Sequence, residues 1–181
     1  MGLPSSQGMV QRLVDEHYAA LYRYAFRLTG SASDAEDLTQ DAFCTAQLKL
    51  EQLRDPARAK AWLYSIMRNA YLHRLRAEKR QHVVSLEVLA DVSEPPPDPL
   101  PPVDAEQLQA ALNELPEVFR TPVILYYFEE FSYRDIAEQM DLPLGTVMSR
   151  LARAKGYLRG RLLQPAGAVL AHGQRGARDG L

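Results

Sequence analysis

The amino-terminal half of the chain carries apolar side chains at intervals of three and four residues, the spacing that aligns side chains along one face of an α-helix. The first such stretch is predicted to form a helix whose apolar side consists of Val10, Leu13, Val14, His17, Leu21, Tyr24, Ala25 and Leu28. Thr29 and Gly30 are predicted to end this helix. No stretch in this half shows the strict alternation that predicts a β-strand.

Two further helices are predicted in the same half. Ser33 followed by Glu36 has the spacing of a capping box, so a second helix is expected to begin there and to run to about Leu50. Asp55-Pro56 then marks a turn or a helix start, because proline is tolerated in the first turn of a helix. A third helix is predicted from about Ala57 to Arg80, with its core side formed by Leu63, Ile66, Met67 and Ala70.

A proline-rich acidic segment interrupts the helical pattern. The run SEPPPDPLPPVD cannot continue a helix, because proline lacks the donor N–H and clashes with the preceding turn. Helical spacing then resumes, with Pro116 and Pro122 predicted to divide successive helices. The predicted organisation is a first domain at 1–81, a linker at 82–104, a second domain at 105–163 and a disordered tail at 164–181. The fold class is therefore all-α: two small helical domains joined by a flexible proline-rich linker.

The second domain is predicted to contain a helix-turn-helix. Ser132 and Asp135 repeat the capping pattern ahead of a short helix, and the turn DLPLG follows with Gly145 suited to a tight backbone. The next helix has an apolar stripe formed by Val147, Leu151, Ala154, Leu158 and Leu162. Its other face carries Thr146, Ser149, Arg150, Arg153, Lys155 and Tyr157. This arrangement favours insertion into the major groove of DNA, and the alternative is a basic face that is merely solvated.

Local charge supports a nucleic-acid partner although the net charge is −2. Residues 54–80 contain eight basic and two acidic residues, and residues 146–163 contain five basic residues and no acid. Residues 85–117 between them hold eight acids and no base. The local charge decides what each surface attracts, so two cationic surfaces are expected on either side of an acidic segment.

Two helical faces in the first domain suggest different partners. Asp37, Gln40 and Asp41 share an outward acidic face with Cys44, which suits a basic protein surface or is only solvated. A narrow band of the third helix contains Arg58, Trp62, Asn69, His73, Arg76 and Arg80. An indole, an amide and several cations can hold a separated DNA strand, while Trp62 is alternatively a partly buried packing residue.

Other functional classes find little support in the sequence. A single cysteine and four scattered histidines provide neither a disulfide nor a metal-ligand cluster, and no cofactor is expected. The chain has no apolar run of about eighteen residues and no signal-peptide pattern, which predicts a cytoplasmic protein without membrane insertion. His17 beside Asp15 and Glu16 has no nucleophile near it, so an enzyme is not expected.

Four runs resemble the extracytoplasmic-function family of bacterial RNA polymerase sigma factors. They are DAEDLTQDAF with AWLYSIMRNAYLHRLR in the first domain, LNELPEVFRTPVILYYFE, and FSYRDIAEQMDLPLGTVMSRLARAKGYLR in the second. The resemblance implies a protein that binds core RNA polymerase, selects promoters and helps to open the DNA, without catalysis of its own. Its implied partners are the clamp helices and flap region of polymerase, promoter DNA and an anti-sigma factor.

The resemblance also assigns roles to residues of this chain. The polymerase contact is expected at Asp37, Leu38, Gln40 and Asp41. The resemblance and the polar band on the third helix together predict the residues that contact the −10 promoter element. They are Arg54, Arg58, Lys60, Trp62, Asn69, His73, Arg76 and Arg80. The resemblance and the basic face of the helix-turn-helix together predict the residues that contact the −35 element. They are Pro143, Gly145, Thr146, Ser149, Arg150, Arg153 and Lys155. The acidic linker is expected to thread toward the active centre of polymerase.

Two positions depart from the family pattern, and one other reading stays open. Met148 stands where relatives often have arginine or lysine, and Ala152 is small where some relatives are bulky, so the reading of −35 bases is expected to differ. The alternative function is a stand-alone helix-turn-helix regulator, which would bind DNA tightly without polymerase and would need a dimer interface of its own.

Overall fold

The computed structural model describes residues 6–79 and 104–163, and within these ranges the protein is all-α and contains no strand. The first domain consists of α1 (Ser6–Thr29), α2 (Ala32–Leu48) and α3 (Ala59–Lys79), with short 3-10 turns at Leu50–Gln52 and Pro56–Arg58. The second domain consists of α4 (Ala105–Glu114), α5 (Glu117–Tyr127), α6 (Tyr133–Met140) and α7 (Leu144–Leu163). The predicted fold class is confirmed. Most of the predicted linker, the tail and Arg80 lie outside the described residues.

The connection between α1 and α2 is made by a left-handed glycine. Gly30 has φ 71° and ends α1, as predicted. The cap of α2 is Ser31, whose side chain accepts a hydrogen bond from the Asp34 N–H at 3.3 Å, so the prediction of a capping box at Ser33 and Glu36 was wrong. The helix begins earlier than predicted because the chain turns immediately after Gly30, which places Ser33 inside the first turn.

The first domain is a packed three-helix unit. Leu21, Leu28, Leu38, Leu63 and Met67 are completely buried where the three helices meet. Burial of each such side chain contributes about 1.5–3 kcal/mol to folding. The apolar spacing of α1 and α3 therefore predicts correctly which sides of these helices are buried.

Pro122 lies inside α5 and does not divide two helices, contrary to the sequence prediction. A proline at this position cannot donate to the carbonyl four residues earlier, which belongs to Val118. The Arg150 guanidinium of α7 lies 3.5 Å from that carbonyl oxygen and offers it a donor. A side chain from a distant helix thus supplies the donor that the proline lacks.

The helix-turn-helix forms with the predicted cap, and its turn lies within the predicted run DLPLG but does not use Gly145. Ser132 and Asp135 make the reciprocal capping box at the start of α6. The left-handed residue of the turn is Asp141, with φ 52°, and Gly145 already lies in the first turn of α7. A Cβ atom on Gly145 would meet nothing within 4 Å, so the turn does not depend on glycine there.

The two domains pack against each other, and their buried residues form one continuous apolar cluster. Helices α4 and α5 contact α1, and α6 contacts α3. Arg120 of α5 donates to the Leu28 carbonyl oxygen at 2.7 Å and to the Tyr71 hydroxyl oxygen at 3.3 Å. At Gly30 a Cβ atom would come within 3.0 Å of the Asn113 side chain of α4, so the absence of a side chain permits the close approach. The domains therefore meet through a fitted interface.

Candidate nucleic-acid interface

Helix α7 presents most of its predicted DNA-contacting residues to solvent. The exposed members are Pro143, Gly145, Ser149, Arg153 and Lys155. Thr146 is half-buried in the first turn, where its N–H donates to the Pro143 carbonyl oxygen at 2.9 Å. Val147 and Leu151 on the opposite side are buried and hold the helix against its domain. This orientation leaves one complete face of α7 accessible to a DNA groove.

Arg150 behaves differently from the other residues of the predicted −35 set. Its side chain is half-buried, and its guanidinium is directed at the Val118 carbonyl oxygen rather than at solvent. Tyr157, which the sequence also places on the polar face, donates its hydroxyl to the Glu114 carboxylate at 2.7 Å. Both side chains therefore support the second domain internally, and a DNA contact by Arg150 stays a prediction.

Two large apolar side chains are exposed on the same helix. Leu144 and Met148 lie one turn apart with 43% and 51% of their surface accessible. The sequence indicates Met148 as a departure from the family, but sequence reasoning missed Leu144, whose only signal is its place between Pro143 and Gly145. Apolar side chains on a groove-reading helix favour contact with the methyl group of thymine.

Helix α3 exposes a polar strip that points away from the core. Asn69, His73 and Arg76 follow each other at spacings of four and three and are all exposed. Trp62 is half-buried: it packs against the core and also lines a cleft at the start of the helix. The packing role and the base-stacking role of Trp62 are therefore compatible.

The cleft beside Trp62 lies between the two domains and has a volume of about 490 Å³. The first domain contributes Arg54 and Arg58 to its wall, and α6 contributes Asp135, Glu138 and Gln139. Arg58 donates to the Glu138 carboxylate at 2.7 Å. Predicted DNA-binding cations thus face carboxylates of the second domain.

Lys60, another residue of the predicted −10 set, is engaged by the loop between α5 and α6. Its ammonium donates to the Glu129 carbonyl oxygen at 2.7 Å and lies 5.0 Å from the centre of the Phe131 ring. The Tyr64 hydroxyl donates to the Glu129 carboxylate at 2.5 Å, and the Arg27 guanidinium lies 4.0 Å from the same carboxylate. Glu129 lies at the domain interface among these side chains, and only 6% of its surface is exposed.

The environment of this carboxylate opposes its ionisation. Burial raises the pKa of Glu129 above its ordinary value, against the opposing effects of the Tyr64 hydroxyl and the cations Arg27 and Lys60. Burial, followed by the hydrogen bond to Glu129, also raises the pKa of Tyr64, so this phenol stays a donor. Sequence reasoning missed Tyr64 and Glu129, because neither has a local pattern that signals pairing across 65 residues.

The predicted polymerase-docking face lies on α2. Asp37, Gln40 and Asp41 are exposed, and Asp41 pairs with Arg74 of α3. Leu38 is completely buried, so it packs in the core while its exposed neighbours form the surface. Cys44 is exposed on the same helix.

Two searches of the described residues gave no site of another kind. In residues 6–79 and 104–163, no group of His, Cys, Asp or Glu side chains is arranged to hold a metal ion. Over the same ranges, no helix combines the length and the apolarity needed to cross a bilayer.

Comparison with known proteins identifies both domains. Residues 13–81 match the family model of sigma-70 region 2, and residues 105–158 match that of sigma-70 region 4. The chain is 30% identical over 162 residues to the ECF RNA polymerase sigma factor SigW of Bacillus subtilis, covering 83% of this chain and 87% of SigW. It is 34% identical over 154 residues to SigL of Mycobacterium tuberculosis, covering 83% and 87% of the two chains.

A solved structure shows the same arrangement of helices. The sigma factor RpoE of Bartonella quintana, crystallised with the anti-sigma factor NepR, aligns with a TM-score of 0.69 and 29% identity. The alignment covers 84% of this chain and 95% of that protein. Along this chain the two family matches follow each other in the order region 2, then region 4. The chain belongs to the extracytoplasmic-function (ECF) family of RNA polymerase sigma factors.

Proposed function

We propose that this protein binds core RNA polymerase, directs it to particular promoters and helps to hold the opened DNA, while the chemistry of RNA synthesis belongs to polymerase. The observation that carries the proposal is the presence of two exposed polar helical faces, on α3 and α7, in domains that match sigma-70 regions 2 and 4. Each face suits a different part of a promoter.

The second domain would contact the −35 element as a duplex. The exposed residues at the start of α7 reach base edges, while Arg153 and Lys155 lie farther along the helix, beside the phosphates. Because these cations displace counterions from DNA, promoter binding is expected to fall steeply with rising salt concentration.

The first domain would act on the −10 element as a separated strand. Trp62 supplies an aromatic surface for a base, and Asn69 supplies an amide for a base edge. His73 and Arg76 extend the same strip toward the end of α3. The loop with Arg54 and Arg58 adds cations at the cleft that would receive an unpaired base.

The exposed acidic face of α2 would anchor the protein on polymerase. Asp37 and Asp41 present carboxylates beside Gln40, which suits a basic surface such as the clamp helices of the largest subunit. We also infer that an anti-sigma protein binds this chain, because the similar sigma factor of Bartonella quintana was solved with one.

The test is run-off transcription on a genomic fragment library with purified core polymerase, with and without this protein. We expect new start sites only when the protein is present. Arg153→Ala should lower the yield of open complexes about ten-fold, the effect of losing one charged phosphate or base contact. Arg12→Ala is a matched control, since Arg12 is an exposed cation of α1 paired only with Glu16 among the contacts described.

The same material decides between this function and a stand-alone regulator. A mobility-shift assay on the mapped promoters should show specific complexes with core polymerase and none without it. Tight, specific binding by the protein alone would contradict the proposal and favour the regulator.

A further inference from the structure

The second half of α7 is packed less deeply than the first half. The buried residues of this helix all lie before residue 155, and they are Val147, Leu151 and Ala154. The structure describes every residue in the range 155–163, and none of these side chains is fully buried. The half-buried Leu158 is in contact with the core. Apolar packing therefore fixes the direction of the second half less firmly, and polar contacts gain importance there.

A single carboxylate of α4 contacts this half of α7 through two side chains. The Arg161 guanidinium donates to both oxygens of the Glu114 carboxylate, with Nε 2.9 Å from Oε2 and Nη2 3.0 Å from Oε1. The Tyr157 hydroxyl donates to Oε2 at 2.7 Å. Two parallel N–H···O bonds fix the direction of a guanidinium as well as its distance. The carboxylate therefore holds α7 at two positions that lie one turn apart.

Glu114 stands at a position that α4 by itself disfavours. The helix ends at Glu114, and its last turn contains no basic residue. A carboxylate at the carboxyl end of a helix is repelled by the partial negative charge of the last carbonyl groups. The hydrogen bond from Arg161, together with that from Tyr157, nevertheless lowers the pKa of Glu114 against the opposing effect of burial. The contact with α7 thus compensates for a charge that is unfavourable in its own helix.

The corner that carries Glu114 is itself fixed by Arg120 of α5. The Arg120 guanidinium donates to the Asn113 carbonyl oxygen at 2.7 Å and to the Leu115 carbonyl oxygen at 2.8 Å. These two carbonyl groups belong to the residues immediately before and after Glu114, and the Leu115 side chain is completely buried. The backbone is thus held on both sides of the carboxylate, which makes Glu114 a fixed anchor for α7.

This anchor contributes more to geometry than to stability. The side chains of Arg161 and Glu114 keep 34% and 40% of their surface exposed, and an ion pair in contact with solvent contributes at most about 1 kcal/mol. Gly145 lies about 9 Å along the helix from Leu151, the middle of the buried stretch, so a tilt of about 10° about Leu151 moves the first turn by about 1.5 Å. A hydrogen bond of about 2.9 Å to a base edge is lost on such a displacement.

We infer that Glu114 is a positioning residue for promoter recognition: it sets the angle of α7, and thereby the discrimination between −35 sequences, without touching DNA. This inference rests on the proposed function of α7. Arg161 is then a partner of Glu114 inside the domain and not a contact with a phosphate. Removal of the carboxylate lowers the discrimination between promoters, while the thermal stability of the protein changes little.

The test compares Glu114→Ala with Glu106→Ala in the full-length protein. Glu106 is an exposed glutamate in the first turn of the same helix, so the control removes the same side chain and the same charge. With core polymerase present, the affinity is measured for a promoter mapped by run-off transcription and for the same DNA with a scrambled −35 element. We expect Glu114→Ala to lower the ratio of the two affinities about ten-fold, the size of one lost base contact. Glu106→Ala should leave the ratio unchanged.

A double-mutant cycle separates positioning from a direct contact with DNA. If Glu114 acts through Arg161, Arg161→Ala lowers the ratio to a similar extent, and the double variant is no worse than either single variant. A phosphate contact by Arg161 gives a different pattern. Arg161→Ala then weakens binding to both DNAs equally, whereas Glu114→Ala releases a cation and tightens binding to both. That second pattern would overturn the inference.

Two other results also decide against the inference: an unchanged ratio in folded Glu114→Ala, and an equal loss in Glu106→Ala. Circular dichroism and thermal melting establish folding. Glu114→Gln, which keeps the size of the side chain and removes its charge, is measured alongside and takes the place of an alanine variant that does not fold. If the wild-type protein prefers the intact −35 element, the proposed function stands whatever the variants show. Equal affinity of wild type for the two DNAs, or an absence of new start sites, counts against the proposed function and against the inference with it.

Discussion

The Tyr64 hydroxyl of α3 donates a 2.5 Å hydrogen bond to the Glu129 carboxylate, which lies in the loop before α6. The two residues belong to different domains, and the carboxylate is 6% exposed. Tyr64 also contacts the aromatic rings of Tyr24 and Phe131, with ring centres 4.8 Å and 5.2 Å away. A single side chain thus joins the core of the first domain to the lead-in of the helix-turn-helix.

Removing this hydroxyl is expected to destabilise the protein. Tyr64→Phe keeps the ring packing but leaves the Glu129 carboxylate without its nearest donor, which costs about 2 kcal/mol for a hydrogen bond to a charged group. The measurement is the free energy of unfolding from urea titration. Tyr18→Phe is the control, because it makes the same change at a tyrosine that is 44% exposed. Equal stabilities of the Tyr64 variant and wild type would contradict the role assigned to this bond.

The raised pKa of Glu129 predicts a particular dependence of stability on pH. The folded protein binds this proton more tightly than the unfolded chain, whose carboxyl has a pKa near 4.5. The stability that this group contributes is therefore present below that value and is lost as pH rises through the raised folded pKa. Glu129→Gln cannot lose a proton, so its melting temperature relative to wild type should rise over that interval. A difference in melting temperature between this variant and wild type that stays constant as the pH rises above the unfolded pKa would count against this linkage.

The hydroxyl of Tyr24 offers the opposite case. Tyr24 is completely buried, and its hydroxyl oxygen has no hydrogen-bond partner among the described residues. Tyr24→Phe removes an unsatisfied polar atom and keeps the ring, so the free energy of unfolding should increase by about 1 kcal/mol. Thermal melting checks this directly. A loss of stability would show that the hydroxyl is paired in solution.

Arg150 and Arg153 lie within one turn of each other on α7, but we expect Arg150 to affect stability and Arg153 to affect promoter binding. Arg150→Ala removes the donor at the Val118 carbonyl oxygen and should lower the unfolding free energy by about 1 kcal/mol. Arg153→Ala should leave melting unchanged, because Arg153 is exposed, and should weaken promoter binding. Melting curves and promoter-complex assays on both variants separate the two roles. A stability loss at Arg153, with none at Arg150, would reverse the assignment.

Met148 is expected to influence which −35 sequence is read. Replacing this exposed apolar side chain by arginine should shift the preference at one base pair from thymine toward guanine, since arginine pairs with the guanine edge. Selection of bound promoters from a randomised −35 library, with core polymerase present, measures the preference. Gly160→Arg is the control: it adds the same charge to α7 in open space and should leave the base preference unchanged.

The local parts of the fold are predictable because local interactions create them. The apolar spacing in α1, α3 and α7 marks the buried sides of these helices, and the Ser132–Asp135 capping box marks the start of α6. The predictions were wrong where a contact from a distant part of the chain changes the local structure. Pro122 is accommodated inside α5 because Arg150 from another helix reaches Val118, and no pattern near residue 122 contains that information.

The sequence by itself determined the helical class, the two cationic helices with an acidic segment between them, and the family, because periodicity, caps and motif order are properties of neighbouring residues. Only the tertiary structure decided which polar groups meet. The decisive contacts join residues far apart in the chain. Glu129 pairs with Tyr64, and Arg58 and Lys60 donate to oxygen atoms of the second domain. Arg150 donates to the Val118 carbonyl oxygen. Such contacts depend on how two packed surfaces fit, and a side chain buried by that fit is no longer governed by its neighbours in sequence.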